Sequence, residues 1–169
     1  MKAPDWMKYR DSDWNEIASV LQYFESLEPS VKALLGSMIN GLLANLYFLI
    51  NGADSPIEQL MALVLDKRMD ETGINYHIEP QATVEVRGKR YRVDLLLEIH
   101  NGDECTDYAI ECDGHAFHEK TKEQARRDKA RERALQAKGI TVIRFTGSEI
   151  WDNPWRCAEE VVRILLKNL

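Results

Sequence analysis

The stretch RYRVDLLLEIH-NGDECT-DYAIECDGHAFHEK, residues 90–120, decides how this chain is read. Two runs of period-2 alternation flank Asn101-Gly102, the strongest short-range signal for a two-residue β-hairpin turn. With that turn, His100 faces Asp103. Opposed residues in an antiparallel pair share a face, as do residues two apart along a strand. One face then holds Tyr91, Val93, Leu95, Leu97 and Ile99, with Tyr108, Ile110 and Cys112 opposite; it is almost wholly apolar and is expected on the core. The other face holds Arg92, Asp94, Leu96 and Glu98, with Asp107, Ala109, Glu111 and Asp113. In this register Asp94 faces Ala109 and Glu111 is its diagonal neighbour, roughly 7–8 Å away. Nothing in a hairpin's stability calls for carboxylates there, and close together they repel unless a cation lies between them. Oxygen ligands around a partly hydrated site suit Mg²⁺ or Mn²⁺.

The chain has 169 residues, enough for one core and short for two full domains. Its 44% hydrophobic and 30% charged residues are those of a globular protein. The opening Met1-Lys2-Ala3-Pro4-Asp5 shows no signal pattern, and the three scattered cysteines, 105, 112 and 157, argue against a disulfide framework. A reducing, cytoplasmic setting is the expectation. The net charge of −6 excludes a nucleic-acid binder that works through its whole surface, but leaves room for a basic stripe beside an acidic site.

Upstream, residues 13–27 carry Trp14, Ile17, Val20, Leu21 and Phe24 at helical spacing, and a second helical pattern runs from Ser30. Its last turns, LLANLYFLI, are apolar nearly all round, which predicts burial on several sides or a homodimer contact. Lys32, Asn40 and Asn45 argue against a membrane span. Residues 1–54 are therefore expected to be a helical extension, with Asn51 to Asp54 as a loop. Ser55-Pro56-Ile57-Glu58 opens the next helix, with Ser at N-cap, Pro at N1 and Glu at N3; a capping box alone suffices to explain Glu58. Residues 75–79 and 82–87 are predicted extended, and Gly88 marks the turn into the Tyr91 strand. After the hairpin, residues 119–138 form a charged helix ended by Gly139. Thr141 to Phe145 is a short strand that can return parallel to the Glu111 strand. Asn153-Pro154 starts a last helix.

Taken together, Val93-Asp94, Ile110-Glu111-Cys112-Asp113-Gly114, His118, Asp128, Arg131 and Val142-Ile143-Arg144-Phe145 form a specific set. The order Asp, hairpin, Glu-x-Asp resembles the active-site hairpin of the PD-(D/E)XK nucleases. The remainder resembles the branch that holds the very-short-patch-repair (Vsr-like) endonucleases, related homing endonucleases and a large uncharacterised bacterial family. The resemblance covers roughly residues 55–168. It implies an α/β restriction-endonuclease-like core, a mixed β-sheet flanked by helices, over residues 55–169. It also implies a metal-dependent DNA endonuclease, in DNA repair, restriction or mobile-element biology, with Mg²⁺ or Mn²⁺ as cofactor and DNA as partner.

Carried over by residue, the resemblance makes Asp94 the central metal ligand, Glu111 the second and the Cys112 backbone carbonyl a further one. It also places a glutamate at Glu58, bordering the metal site. Asp113 stands where the superfamily pattern has a lysine, so the cationic role must move; Arg127 or Lys122 are the candidates. His118, ahead of His115, is the expected general base or acid. Lys122, Arg126, Arg127 and Lys129 are a candidate phosphate-contacting stripe; the alternative is a solvated helix face. A rival set, Cys105, Cys112, His115 and His118 as zinc ligands, matches no common zinc spacing. The alternative function is a catalytically silent nuclease-fold module that binds nucleic acid or a partner protein.

Overall fold

The computed structural model describes residues 28–114 and 122–168, and Ser19, Gln22 and Ser26 before them. The chain divides into two compact units, residues 1–48 and 49–169. In the first, helix α1 (Pro29–Gly52) begins; it ends in the second, with Asn51 and Gly52 in its last turn rather than in a loop. Leu42, Leu43, Tyr47 and Phe48 are exposed, while Leu49 is buried. Among the described residues, no helix is long and apolar enough to cross a membrane.

The second unit is a mixed α/β fold. Its strands are β1 (Asn75–Pro80), β2 (Thr83–Val86), β3 (Lys89–Arg92), β4 (Leu95–Asn101), β5 (Glu104–Asp113) and β6 (Thr141–Thr146). Strands β1-β4-β5-β6 form one sheet, antiparallel except for the parallel β5–β6 pair; β2 and β3 form a separate ribbon. Its helices are α2 (Pro56–Asp70), α3 (Lys122–Ala137), α4 (Gly147–Asp152) and α5 (Pro154–Asn168). Helix α3 joins the two parallel strands, as a parallel pair requires.

The sheet and the ribbon share one register. Pro80 pairs with Leu95 at the end of β1–β4, and Thr83 pairs with Arg92 at the start of β2–β3. Between them, the Gln81 N–H donates to the Asp94 carbonyl (2.7 Å) and the Val93 N–H to the Ala82 carbonyl (2.9 Å). One antiparallel ladder therefore runs through both and bends at Gln81, whose φ of 53° is left-handed. The long strand expected from Tyr91 onward is accordingly broken at Val93-Asp94.

The β4–β5 turn differs from the expected one. Asn101 pairs with Glu104, which leaves Gly102-Asp103 as the two turn residues. Gly102 has φ 62° and Asp103 does not have positive φ, the pattern of a II′ turn with glycine first. The Asn-Gly reading needed positive φ at both central residues. The register thus moves by two residues. An even shift keeps every side chain on its face and changes only its partner.

Both faces of the sheet are covered. Leu95, Leu97, Ile99, Tyr108, Ile110 and Cys112 join Met61, Leu65 and Met69 of α2 and Val161 and Leu165 of α5 in the larger core. Leu96 and Ala109, on the opposite face, join Val84, Val86, Leu135 and Ile140 in a second cluster under α3. Val93 and Tyr91 were expected in the first core and lie in the second, because the ladder bends before them. Each fully buried Leu, Ile or Val contributes roughly 1.5–3 kcal/mol. The Tyr76 hydroxyl on β1 lies 2.9 Å from both Asp66 Oδ1 and Asp70 Oδ1 and shares its one proton between them, pinning the end of α2 to the sheet edge. Burial and these carboxylates push its phenol well above its ordinary value.

Candidate metal centre

The bend in the ladder creates the site. β4 stops at Leu95, opposite Ile110, whereas β5 runs on to Asp113 beside β6. Glu111, Cys112 and Asp113 therefore have a neighbouring strand on one side only. The Asp94 side chain fills the other side, where its Oδ2 accepts the Cys112 N–H at 2.7 Å. The β4–β5 register ends at Leu95 and Ile110, one residue short of Asp94 and Glu111, and the Glu111 charge acts on the Asp94 carboxyl.

Asp94 is half-buried, and its carboxyl is pushed up to about 6. Burial is the main cause; the Cys112 N–H opposes it, and the charges of Glu111 and Glu58 add to it. Glu111 is buried, and the Arg131 guanidinium grips it with two parallel bonds, Nη1 to Oε2 at 2.8 Å and Nη2 to Oε1 at 2.7 Å. Arg131 Nη2 also donates to the Arg92 carbonyl, which ties α3 to the end of the ribbon. The planar guanidinium fork suits this geometry, and a flexible lysine would not reproduce it.

Glu58 is also buried. Its N–H donates to Ser55 Oγ (3.3 Å), and its carboxylate accepts from the Ser55 hydroxyl (2.8 Å), the Asp54 N–H (2.9 Å) and the Gln81 side-chain amide. The N-cap at Ser55 is thus as expected, but Glu58 reaches beyond the cap toward the bend. Asp113, at the end of β5, is half-buried opposite Thr146. His115 and His118 lie outside the described residues. Lys122 is the first residue of α3, and Arg126, Arg127 and Lys129 are exposed along it.

Sequence reasoning passed over two residues at this site, Arg131 and Gln81. Arg131 was visible as part of the motif set, but helical spacing alone does not say which cation on a charged helix turns inward. Gln81 left no signal, because glutamine is rare in left-handed backbone.

Among the described residues, Glu98, Cys105 and Asp107 bring donor atoms within 4.8 Å of one another. That cluster lies near the hairpin turn. Asp94, Glu111 and Glu58 form no such group in this conformation, since Glu111 is turned to Arg131 and Glu58 to its cap. Their donors still fit a divalent cation: they are all oxygens, they lie at one break in the sheet, and at Asp94 burial and the neighbouring carboxylates outweigh the charge of Arg131. The zinc alternative does not hold. Cys105 is exposed and Cys112 buried, seven residues apart on one strand, about 23 Å at 3.3 Å per residue.

The four-stranded mixed sheet flanked by helices is that of a restriction-endonuclease-like core. The sequence model of the family REase_MTES_1575 matches residues 66–165, more than half of the chain, and the chain belongs to that family. No curated protein matches. Among solved structures, the chain is similar to the protein titled "Crystal Structure of Protein of Unknown Function AF1548", at 22% identity with a TM-score of 0.32. The match covers 52% of this chain and 46% of the other, so the chain spans about half of that protein's length.

Proposed function

We propose that the chain is a metal-dependent DNA endonuclease of the Vsr-like branch whose centre is built on Asp94, Glu111 and Glu58. The observation that carries this reading is the burial of Asp94 beside the Glu111 and Glu58 charges, which raise its carboxyl despite the Cys112 N–H and the charge of Arg131. Mg²⁺ or Mn²⁺, when bound, supplies charge neutralisation at the phosphate and a more acidic attacking water. Asp94 and Glu111 hold the ion through their carboxylates. The Cys112 carbonyl joins them, since a strand residue's C=O points to the same side as its N–H, and that N–H meets Asp94. Glu58 and Asp113 border the site.

Arg131 takes the cationic role that Asp113 does not fill. With no cation it neutralises Glu111; with DNA present its fork suits a phosphate oxygen pair. His118 moves the proton, as the family resemblance implies. Lys122, Arg126, Arg127 and Lys129 supply phosphate contacts along α3. Residues 1–54 form a helical extension to the nuclease domain 55–169, and the exposed apolar residues of α1 fit a homodimer contact.

The paired state of Glu111 also favours a second reading, a silent nuclease-fold module in which Arg131 permanently replaces the metal. Cleavage of plasmid and linear DNA with Mg²⁺ or Mn²⁺, wild type beside Asp94→Ala, separates the two. The enzyme reading expects metal-dependent cleavage that Asp94→Ala lowers by about 10²–10³-fold, the loss typical when a main electrostatic group is removed. DNA binding without cleavage by the wild type, under any divalent metal, leaves only the silent module.

A further inference from the structure

Gln81 sits where the ladder bends, and three observations set it apart from a linker residue. Its backbone is left-handed, at φ 53°, which side chains with a Cβ rarely adopt. It touches both sides of the centre: its N–H donates to the Asp94 carbonyl at 2.7 Å and its side-chain amide donates to Glu58 Oε2. Its amide oxygen is buried and has no hydrogen-bond partner. The amide orientation follows from chemistry, because an oxygen turned to the Glu58 carboxylate would meet a negative charge, whereas the NH₂ meets an acceptor. An orphaned acceptor beside a cluster of carboxylates is an unmet demand for a donor. Divalent cations such as Mg²⁺ keep several waters when bound, and each such water is a hydrogen-bond donor.

We propose that Gln81 is a positioning residue of the metal centre: it holds Glu58 toward Asp94 and offers its amide oxygen to the water shell of the bound cation. A glycine would make the bend with less strain. The side chain therefore has a task other than the turn. The inference rests on the metal-dependent reading of the centre given above.

The test is calorimetric titration of the full chain with Mn²⁺, together with thermal melts. Gln81→Met keeps the bulk and loses both polar atoms; Gln81→Gly loses the side chain and relieves the left-handed backbone. Both variants are expected to bind Mn²⁺ 10–100-fold more weakly than wild type, the usual loss when an outer-shell partner of a metal is removed. Gln81→Gly is expected to melt no lower than Gln81→Met, so that metal affinity falls where stability does not. Mn²⁺ affinity within twofold of wild type in both variants overturns the proposal and makes Gln81 a bend residue only, with the centre intact. Weakening in Gln81→Met alone overturns it too, since packing would then be the cause. A wild-type chain that binds no Mn²⁺ removes the metal-dependent reading, and this inference with it.

Discussion

The two ends of the β4–β5 hairpin both carry acidic groups, held in opposite ways. Near the turn, Glu98, Cys105 and Asp107 bring their donor atoms within 4.8 Å, with Cys105 exposed and both carboxylates half-buried. At the other end Asp94, Glu111 and Glu58 are less tightly gathered but partly or fully buried. There they are held by Arg131, by the Cys112 N–H and by the cap at Ser55. The difference is one of dielectric. Two like charges about 4 Å apart repel by about 1 kcal/mol in water and about 4 kcal/mol at the effective permittivity near a protein surface. Closeness is thus nearly free at the turn, whereas at the bend even looser carboxylates require counter-charge. Spacing of acidic atoms alone picks out the turn end of the hairpin; burial and partners pick out the other.

The largest effect expected from breaking this contrast is at Arg131. Arg131→Met leaves Glu111 buried without its cation, a change that costs about 3 kcal/mol or more in buried pairs. Urea denaturation should show the loss, and saturating Mn²⁺ should recover most of it by taking the place of the guanidinium. Glu98→Gln at the exposed end should stay within about 0.5 kcal/mol of wild type. Equal losses at both ends would erase the distinction.

A smaller effect of opposite sign is expected at Asp94. Its carboxyl is pushed up to about 6 from its ordinary 3.8, so between those pH values the folded chain holds a proton that the unfolded chain has released. Stability from this group is full below about pH 4 and is lost as pH rises through about 6. Asp94→Asn keeps an acceptor for the Cys112 N–H and removes the charge. Without metal it should gain about 1–2 kcal/mol at pH 7.5, allowing for solvent screening of a half-exposed group, and little at pH 4. Thermal melts across that range read the difference, about 2–8 °C at the upper end for a chain of this size. A variant no more stable at pH 7.5 than at pH 4, relative to wild type, would mean that Asp94 is not strained by its neighbours.

The smallest effect belongs to the turn. Gly102→Ala meets open space, so only its φ of 62° resists the change, at about 1 kcal/mol. Mn²⁺ affinity should not move, because the turn and the candidate metal centre lie at opposite ends of the hairpin. A fall in affinity together with stability would show that the two ends are mechanically one.

Much of this arrangement is legible in the sequence, and the failures have identifiable causes. The alternation of Leu95 to Ile99 and Tyr108 to Cys112 fixes their faces whichever even register the turn selects, so a misplaced turn changes the partners and leaves the faces unchanged. The turn was misread because Asn-Gly and Gly-Asp overlap at 101–103, and φ decides between them. The helix α4 carried a Thr146-x-x-Glu149 capping box in plain view, and both of its reciprocal bonds are present. It is only six residues long, too short for hydrophobic periodicity to register it. The bend at Gln81 and the inward turn of Arg131 are tertiary facts. Neither propensity nor spacing encodes which of several arginines meets a buried glutamate.

The single register running from the sheet into the ribbon has a consequence for how such a chain can vary in length. A residue inserted into one arm between the sheet and Arg87-Gly88 displaces Gln81 from Asp94, unless a matching residue enters the other arm. Paired insertions beyond Thr83 and Arg92 merely lengthen the ribbon. Related chains should therefore differ in size at the Arg87-Gly88 tip, in steps that keep the two arms equal, while the distance from the bend to the carboxylates stays constant. The ribbon is a place where this fold can acquire new contacts without disturbing the centre below it.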